Sequence, residues 1–156
     1  HGEPIKDICA ALKSLALRSD VEIVYPVHLN PNVQKPVKRL LGNIPNITLL
    51  PPLEYLPLVH LMKKADLILT DSGGIQEEAP AFGVPVLVLR DVTERPEGIQ
   101  AGTLKLVGTN QMKIVNEANY LLNDSKAHAA MAQAVNPFGM GDAAKKIVAN
   151  LLKFGT

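Results

Sequence analysis

The sequence predicts an α/β fold: a mostly parallel, Rossmann-like sheet with helices on both faces. Three observations carry that expectation. Stretches with apolar residues at helical spacing alternate with short β-branched or apolar runs along the whole chain. The run Leu67-Ile68-Leu69 is continuously apolar, as strands covered on both faces are. The 156 residues, 47% hydrophobic and 20% charged, suit one compact domain or a piece of a larger enzyme. Alternation of helix and strand, with a loop before the last strand and three helices after it, implies right-handed crossovers and a doubly wound layer structure.

Taken in order, Ile5, Ile8, Cys9, Leu12 and Leu15 step at three and four residues behind Pro4, which predicts an amphipathic helix of about four turns. Val21 to Tyr25 reads as a strand stopped by Pro26. Asn32 is placed to cap a helix through Val33, Val37, Leu40 and Leu41, with Gly42 as its left-handed stop. Asn46 to Leu50 is the next strand. Pro51-Pro52 breaks the chain, and Glu54 to Lys64 is helical, with Tyr55, Leu58, Val59 and Met62 on one face. A strand at Asp66 to Thr70 turns through Asp71-Ser72-Gly73-Gly74 into a helix from Ile75 to Phe82, where Pro80 removes a bond and Gly83 stops the chain. Pro85 to Leu89 is a strand, Arg90 to Gly102 an ordered polar loop, and Leu104 to Val107 a weaker strand. Met112 to Leu122, Ser125 to Val135 and Asp142 to Phe154 read as helices. The chain starts on His1 and enters a helical pattern at once, so a cut is expected, with the sheet's first strand just upstream.

Composition excludes several function classes. Lys+Arg (16) nearly balances Asp+Glu (15), so a net charge of +1 offers no field for nucleic acid or an anionic membrane. The single cysteine, Cys9, rules out a disulfide framework and suits a reducing, cytoplasmic compartment. No apolar run reaches the ~18 residues a bilayer span needs, and the start is unlike a signal peptide. There is no HExxH, no Cys–His pair and no Walker-type loop, so neither a metal nor an organic cofactor is expected.

Ligands of open parallel sheets collect outside the carboxyl ends of the strands. There, Ser72, Gly73 and Gly74 bring a hydroxyl and two residues without Cβ to a helix start, a setting that accepts phosphate. Glu78, one turn on, is placed to accept hydrogen bonds from ribose hydroxyls. The plainer reading is a tight turn capped by Asp71 and Ser72. Arg90 and Arg95 sit in the next loop, where a guanidinium fits a diphosphate; a solvated cluster with Glu94 and Glu97 is the plainer account. His28 lies at a strand end, where a backbone hydrogen bond is the ordinary fate, and His60 and His128 fall on helix faces. Glu77 and Glu78 point about 100° apart on a helix and cannot face each other as a catalytic pair.

Longer strings say more. Ile23-Val24-Tyr25-Pro26-Val27-His28-Leu29-Asn30-Pro31-Asn32-Val33, Glu54-Tyr55-Leu56-Pro57, Leu69-Thr70-Asp71-Ser72-Gly73-Gly74-Ile75-Gln76-Glu77-Glu78-Ala79-Pro80 and Arg90-Asp91-Val92-Thr93-Glu94-Arg95-Pro96-Glu97 occur in that order. Together they closely resemble the C-terminal half of the non-hydrolysing bacterial UDP-N-acetylglucosamine 2-epimerases, over essentially all 156 residues. The resemblance implies the second Rossmann-like half of a GT-B-like enzyme, with substrate between the halves. It implies interconversion of UDP-N-acetylglucosamine and UDP-N-acetylmannosamine by elimination and re-addition of UDP, for cell-surface polysaccharide synthesis. Ser72, Gly73 and Gly74 then resemble the pyrophosphate turn, Glu78 the ribose ligand and Arg95 a motif arginine near the nucleotide. Leu53 and Leu58 resemble the uracil pocket, although family members often carry an aromatic at the position of Leu58. His28 resembles a cleft residue of the regulatory UDP-N-acetylglucosamine site. The His-Arg-Arg-Glu-Asn-like motif and the N-terminal carboxylates for proton transfer are missing, so no catalytic acid or base is expected here. The partners implied are UDP and UDP-N-acetylhexosamine, the enzyme's own N-terminal domain and a second copy of the full-length protein. A GT-B glycosyltransferase donor domain, a hydrolysing epimerase and a non-catalytic nucleotide-binding module are the alternatives.

Overall fold

The computed structural model describes residues 3–139 and 141–154; His1, expected to be a disordered terminus, lies outside them. Helix α1 (Glu3–Leu15) is followed by β1 (Ile23–Pro26), α2 (Pro31–Leu41), β2 (Ile47–Leu50), α3 (Tyr55–Lys64) and β3 (Ile68–Thr70). Then come α4 (Gly73–Glu78), a 3-10 helix (Ala79–Phe82), β4 (Val86–Val88), α5 (Pro96–Ala101), β5 (Leu104–Leu106), α6 (Gln111–Asn123), α7 (Ser125–Ala132) and α8 (Ala143–Phe154).

Every strand pairing is parallel, as the alternation requires. β1 pairs with β2, and β4 lies between β3 and β5, with Leu87 opposite Leu69 on one side and Lys105 on the other. Strand periodicity sorts the core between the two faces. Leu87 packs with Ala11 and Leu15 of α1 and Ile114, Ala118 and Leu121 of α6. Val86 and Val88 face the other way, onto Met62 of α3, Ala79 and Leu104. All three β4 residues are fully buried, so this strand is covered on both faces.

The ladder is not continuous, which corrects the single sheet expected from alternation: β1–β2 and β3–β4–β5 are separate sheets. Their apolar surfaces still merge, because Ile23 of β1 and Leu69 of β3 each pack against both neighbouring core clusters beneath α1. A doubly wound sheet of order 3-2-1-4-5-6 has one further strand between the positions held here by β1 and β3, where the ladder is interrupted.

Local differences have local causes. α2 starts on Pro31 and is capped by Asn30, whose side chain accepts from the Asn32 N–H at 2.9 Å, rather than by Asn32. Gly42 is right-handed (φ −63°), not a left-handed stop. Its reason for lacking a side chain is space, since a Cβ there would lie 2.5 Å from the Lys38 carbonyl oxygen. The helix expected from Ile75 to Phe82 begins two residues earlier and tightens to 3-10 geometry at Ala79-Pro80, before Gly83 ends it at φ 68°. The segment expected to be loop from Arg90 to Gly102 contains α5, opened by Pro96 at a position where proline suits a helix start. No helix among the described residues is long and apolar enough to cross a membrane.

Candidate functional site

The carboxyl ends of β3 and β4 carry the residues that converge. β3 ends on Thr70, which is buried, and its Oγ1 accepts the Ser72 N–H at 3.0 Å, turning the chain sharply into α4. Ser72 occupies the N-cap position, yet its side chain makes no capping hydrogen bond. The plainer reading of a Ser72-capped turn therefore fails. The first helical donor to find a backbone acceptor is the Gln76 N–H, 3.2 Å from the Ser72 carbonyl. The N–H groups of Gly73, Gly74 and Ile75 have no partner among the described residues. A cluster of orphan amides beside an uncommitted hydroxyl is suited to accepting an anion.

Arg95 lies directly on this turn. A Cβ on Gly73 would meet its Nη2 at 3.1 Å and Cζ at 3.2 Å, so the guanidinium occupies the space that a side chain at 73 would need. Gly73 allows this close approach, since a Cβ would ask the guanidinium to give by a few tenths of an ångström, and no positive φ is involved. Gly74 is open, with only the Ser72 Oγ at 3.9 Å. The Arg95 Nε donates to Glu77 Oε1 at 2.7 Å, Nη2 lies 2.7 Å from the same oxygen, and Nη1 donates to Glu94 Oε2 at 3.0 Å. The Glu77 bond is the main reason the guanidinium is held above its ordinary pKa, with Glu94 adding to it against partial burial.

The loop's backbone is tied to α4 as well. Thr93 Oγ1 donates to Gln76 Oε1 at 2.6 Å and accepts the Arg95 N–H at 3.1 Å. Gln76 is 1% exposed, so its amide oxygen depends on this one hydroxyl. Helix α4 thus sends its two adjacent carboxylates in different directions, Glu77 to Arg95 and Glu78 to Tyr55 of α3. The nearby Glu78 carboxylate raises the Tyr55 phenol above its ordinary range.

Ser72, Gly73, Gly74, Glu78 and Arg95 fall in one neighbourhood. Leu58 is half-buried against the core cluster of Met62, Ala79 and Val88, and Leu53 is half-buried in the linker before α3. His28 is exposed after β1, with its Nδ1 accepting the Asn30 N–H at 3.1 Å, the ordinary fate of a loop histidine. Of the expected solvated cluster, Arg95 and Glu94 do pair, but the shorter contact runs to Glu77 on α4. Arg90 is exposed, and no ion pair holds its side chain among the described residues. His128 bonds the Asp66 carbonyl through Nε2 at 2.7 Å. Glu77, Gln76, Thr93 and Tyr55 were not assigned roles from sequence. All four lie inside the quoted strings, and their spacing gives no sign of which pairs would meet.

The remaining chemistry is quiet. Cys9 is buried, which pushes its thiol up to about 11, far from a reactive thiolate. No group of three or more metal-ligating side chains exists among the described residues.

Residues 1–152 match the family model for UDP-N-acetylglucosamine 2-epimerase. Among curated proteins, a probable UDP-N-acetylglucosamine 2-epimerase of Ralstonia nicotianae is 60% identical over 147 residues, which cover 94% of this chain and 39% of the relative. The UDP-N-acetylglucosamine 2-epimerase of Escherichia coli strain K12 is 55% identical over 148 residues, with the same coverage. The Neisseria meningitidis enzyme, solved bound to UDP-GlcNAc, superposes with a TM-score of 0.93 at 51% identity, covering 98% of this chain and 42% of that one. The S. aureus MnaA co-structure with UDP gives 0.94 at 44% identity, with the same coverage. A kitacinnamycin glycotransferase, with a TM-score of 0.67 at 16% identity over 96% of this chain and 40% of its own, shares the fold alone. The chain spans about two fifths of the length of the curated relatives it matches. With the family model matched almost end to end and relatives above half identity, the chain belongs to the UDP-N-acetylglucosamine 2-epimerase family.

Proposed function

We propose that this chain is a single Rossmann-like domain forming the UDP-holding, C-terminal half of a cytoplasmic UDP-N-acetylglucosamine 2-epimerase. The observation that carries the reading is the turn at Ser72-Gly73-Gly74: orphan amides, a hydroxyl free of capping duty and the Arg95 guanidinium meet at the carboxyl end of β3. That is the chemistry a nucleoside diphosphate needs: amide donors for phosphate oxygens and a cation beside them. Glu78, one turn along α4, is the ribose ligand, with the Tyr55 phenol of α3 nearby. Leu53 and Leu58 offer an apolar wall for the base. Relatives solved with UDP-GlcNAc and with UDP support the ligand.

The reaction explains why a grip on UDP matters. Loss of the C2 proton with cleavage of the anomeric C–O bond releases UDP and leaves a 2-acetamidoglucal. Re-addition of UDP with protonation of C2 from the opposite face gives the epimer, so both fragments must stay in a closed, water-poor cleft. This domain retains the nucleotide, and the proton-transfer groups belong to an N-terminal domain, which closes over it in a homodimeric enzyme. His28 is a residue of a regulatory cleft site for UDP-N-acetylglucosamine.

The test is a product analysis with UDP-N-acetylglucosamine. A longer protein joining this domain to an N-terminal epimerase half yields UDP-N-acetylmannosamine, while the 156-residue chain alone gives no turnover. Free N-acetylmannosamine and UDP from the longer protein, or epimerisation by the chain alone, would contradict the proposal.

A further inference from the structure

Two carboxylates hold Arg95, and they are not equivalent. Glu77 projects from a helix, is 44% exposed, and accepts the Nε–H at 2.7 Å with Nη2 equally close to the same oxygen. Glu94 is the chain neighbour, is 82% exposed, and reaches only Nη1 at 3.0 Å. An ion pair as exposed as the second is easily exchanged for water or another anion. The first fixes one edge of a planar donor array, and with it the direction of the other edge. The loop backbone is fastened to the same helix independently, through Thr93 and the buried Gln76. Given that anchoring, the Glu77 contact decides where the head group sits, and it sits on Gly73.

We propose that Glu77 is a positioning residue for nucleotide binding: it clamps the Nε–Nη2 edge of Arg95 over Gly73, leaving the Nη1 side for the diphosphate, which displaces Glu94. This rests on the nucleotide reading above. Simple charge arithmetic makes a contrary prediction. Neutralising either carboxylate makes the neighbourhood less negative, so on Coulombic grounds alone both changes favour an anionic ligand. Positioning gives the two changes opposite signs.

The experiment titrates UDP to millimolar concentration into the 15N-labelled chain, following backbone amides and the Arg95 Nε–H signal, for the unsubstituted protein, Glu77→Gln and Glu94→Gln. Glu77→Gln should weaken UDP about tenfold, the scale of one charge-assisted hydrogen bond, and shift the Nε–H signal before any ligand is added. Glu94→Gln should keep that signal and bind UDP at least as tightly. Glu77→Asp keeps the charge but falls one methylene short, so it too should lose affinity, and it serves if Glu77→Gln does not fold. UDP binding undiminished in both Glu77 variants, or an Arg95 Nε–H signal that ignores them, would overturn the proposal. If the folded, unsubstituted chain binds no UDP, the nucleotide reading fails instead. The ligand-free Nε–H comparison then still decides whether Glu77 sets the guanidinium.

Discussion

The loop after β1 and the loops after β3 and β4 occupy equivalent places in a parallel sheet, yet they are built differently. After β1, His28 is tied, among the described residues, to the Asn30 N–H two residues along, and its ring stands in solvent. After β3 and β4, contacts cross from the loop after β4 to helix α4: Thr93 to Gln76, Arg95 to Glu77 and the Arg95 head group onto Gly73. A place at the carboxyl end of a strand is therefore not enough to make a preformed site. What distinguishes the second region is that separate segments hold each other's side chains in place. The supporting sheets differ in the same sense, a two-stranded ladder beside a three-stranded one whose central strand is wholly buried.

That comparison can be broken most forcefully at the central strand. Leu87→Ala removes a fully buried side chain packed between α1 and α6 and should cost about 3 kcal/mol in urea unfolding. A cost below about 1 kcal/mol would mean that the three-stranded side is not the rigid one. Next, Arg95→Ala should lower UDP affinity by about 2 kcal/mol in calorimetry, since a charge-assisted contact to phosphate is lost. Thr93→Val leaves the buried Gln76 oxygen without its hydroxyl donor and should destabilise by about 1 to 2 kcal/mol, again by urea unfolding.

The two-stranded side can be probed through Cys9, buried with Leu12, Val37 and Leu41. Burial raises the folded-state thiol from 9.0 to about 11, so the unfolded chain releases this proton first. The associated stability is fully present below about pH 9 and is lost as pH rises toward 11, amounting to about 1 kcal/mol near pH 10. Cys9→Ala should flatten that part of the stability profile. The smallest expected effect is at His28: His28→Ala should change unfolding free energy by less than about 0.5 kcal/mol and leave UDP affinity alone.

The sequence made the layers legible because helix and strand periods differ, and strand ends were marked by Pro26, Pro51 and Asp71-Ser72. It missed α5 because Pro96 within a polar stretch looks the same whether it opens a helix or sits in a loop. Gly42 was misread because glycine signals either a left-handed turn or a close approach, and only the position of the Lys38 carbonyl tells which. The members of the candidate site could be named, since the Ser-Gly-Gly turn and its flanking carboxylate lie within a few residues. Their partners could not. Glu77 and Arg95 are 18 residues apart, and Tyr55 and Glu78 belong to different helices, so which charges meet depends on how α3, α4 and the loop pack. The broken ladder between β1 and β3 falls where the expected missing first strand would pair, although alternation alone does not say which strands hydrogen-bond.

On this reading the nucleotide site is built where the loop after β4 braces helix α4. The most direct test is a UDP titration of the isotopically labelled chain with every amide followed at once. The account predicts saturating shifts at Ser72, Gly73 and Gly74, extending to the Arg95 loop, with the His28 loop unmoved. Shifts centred on His28 and Asn30, or none from a chain whose spectrum shows it folded, would contradict it.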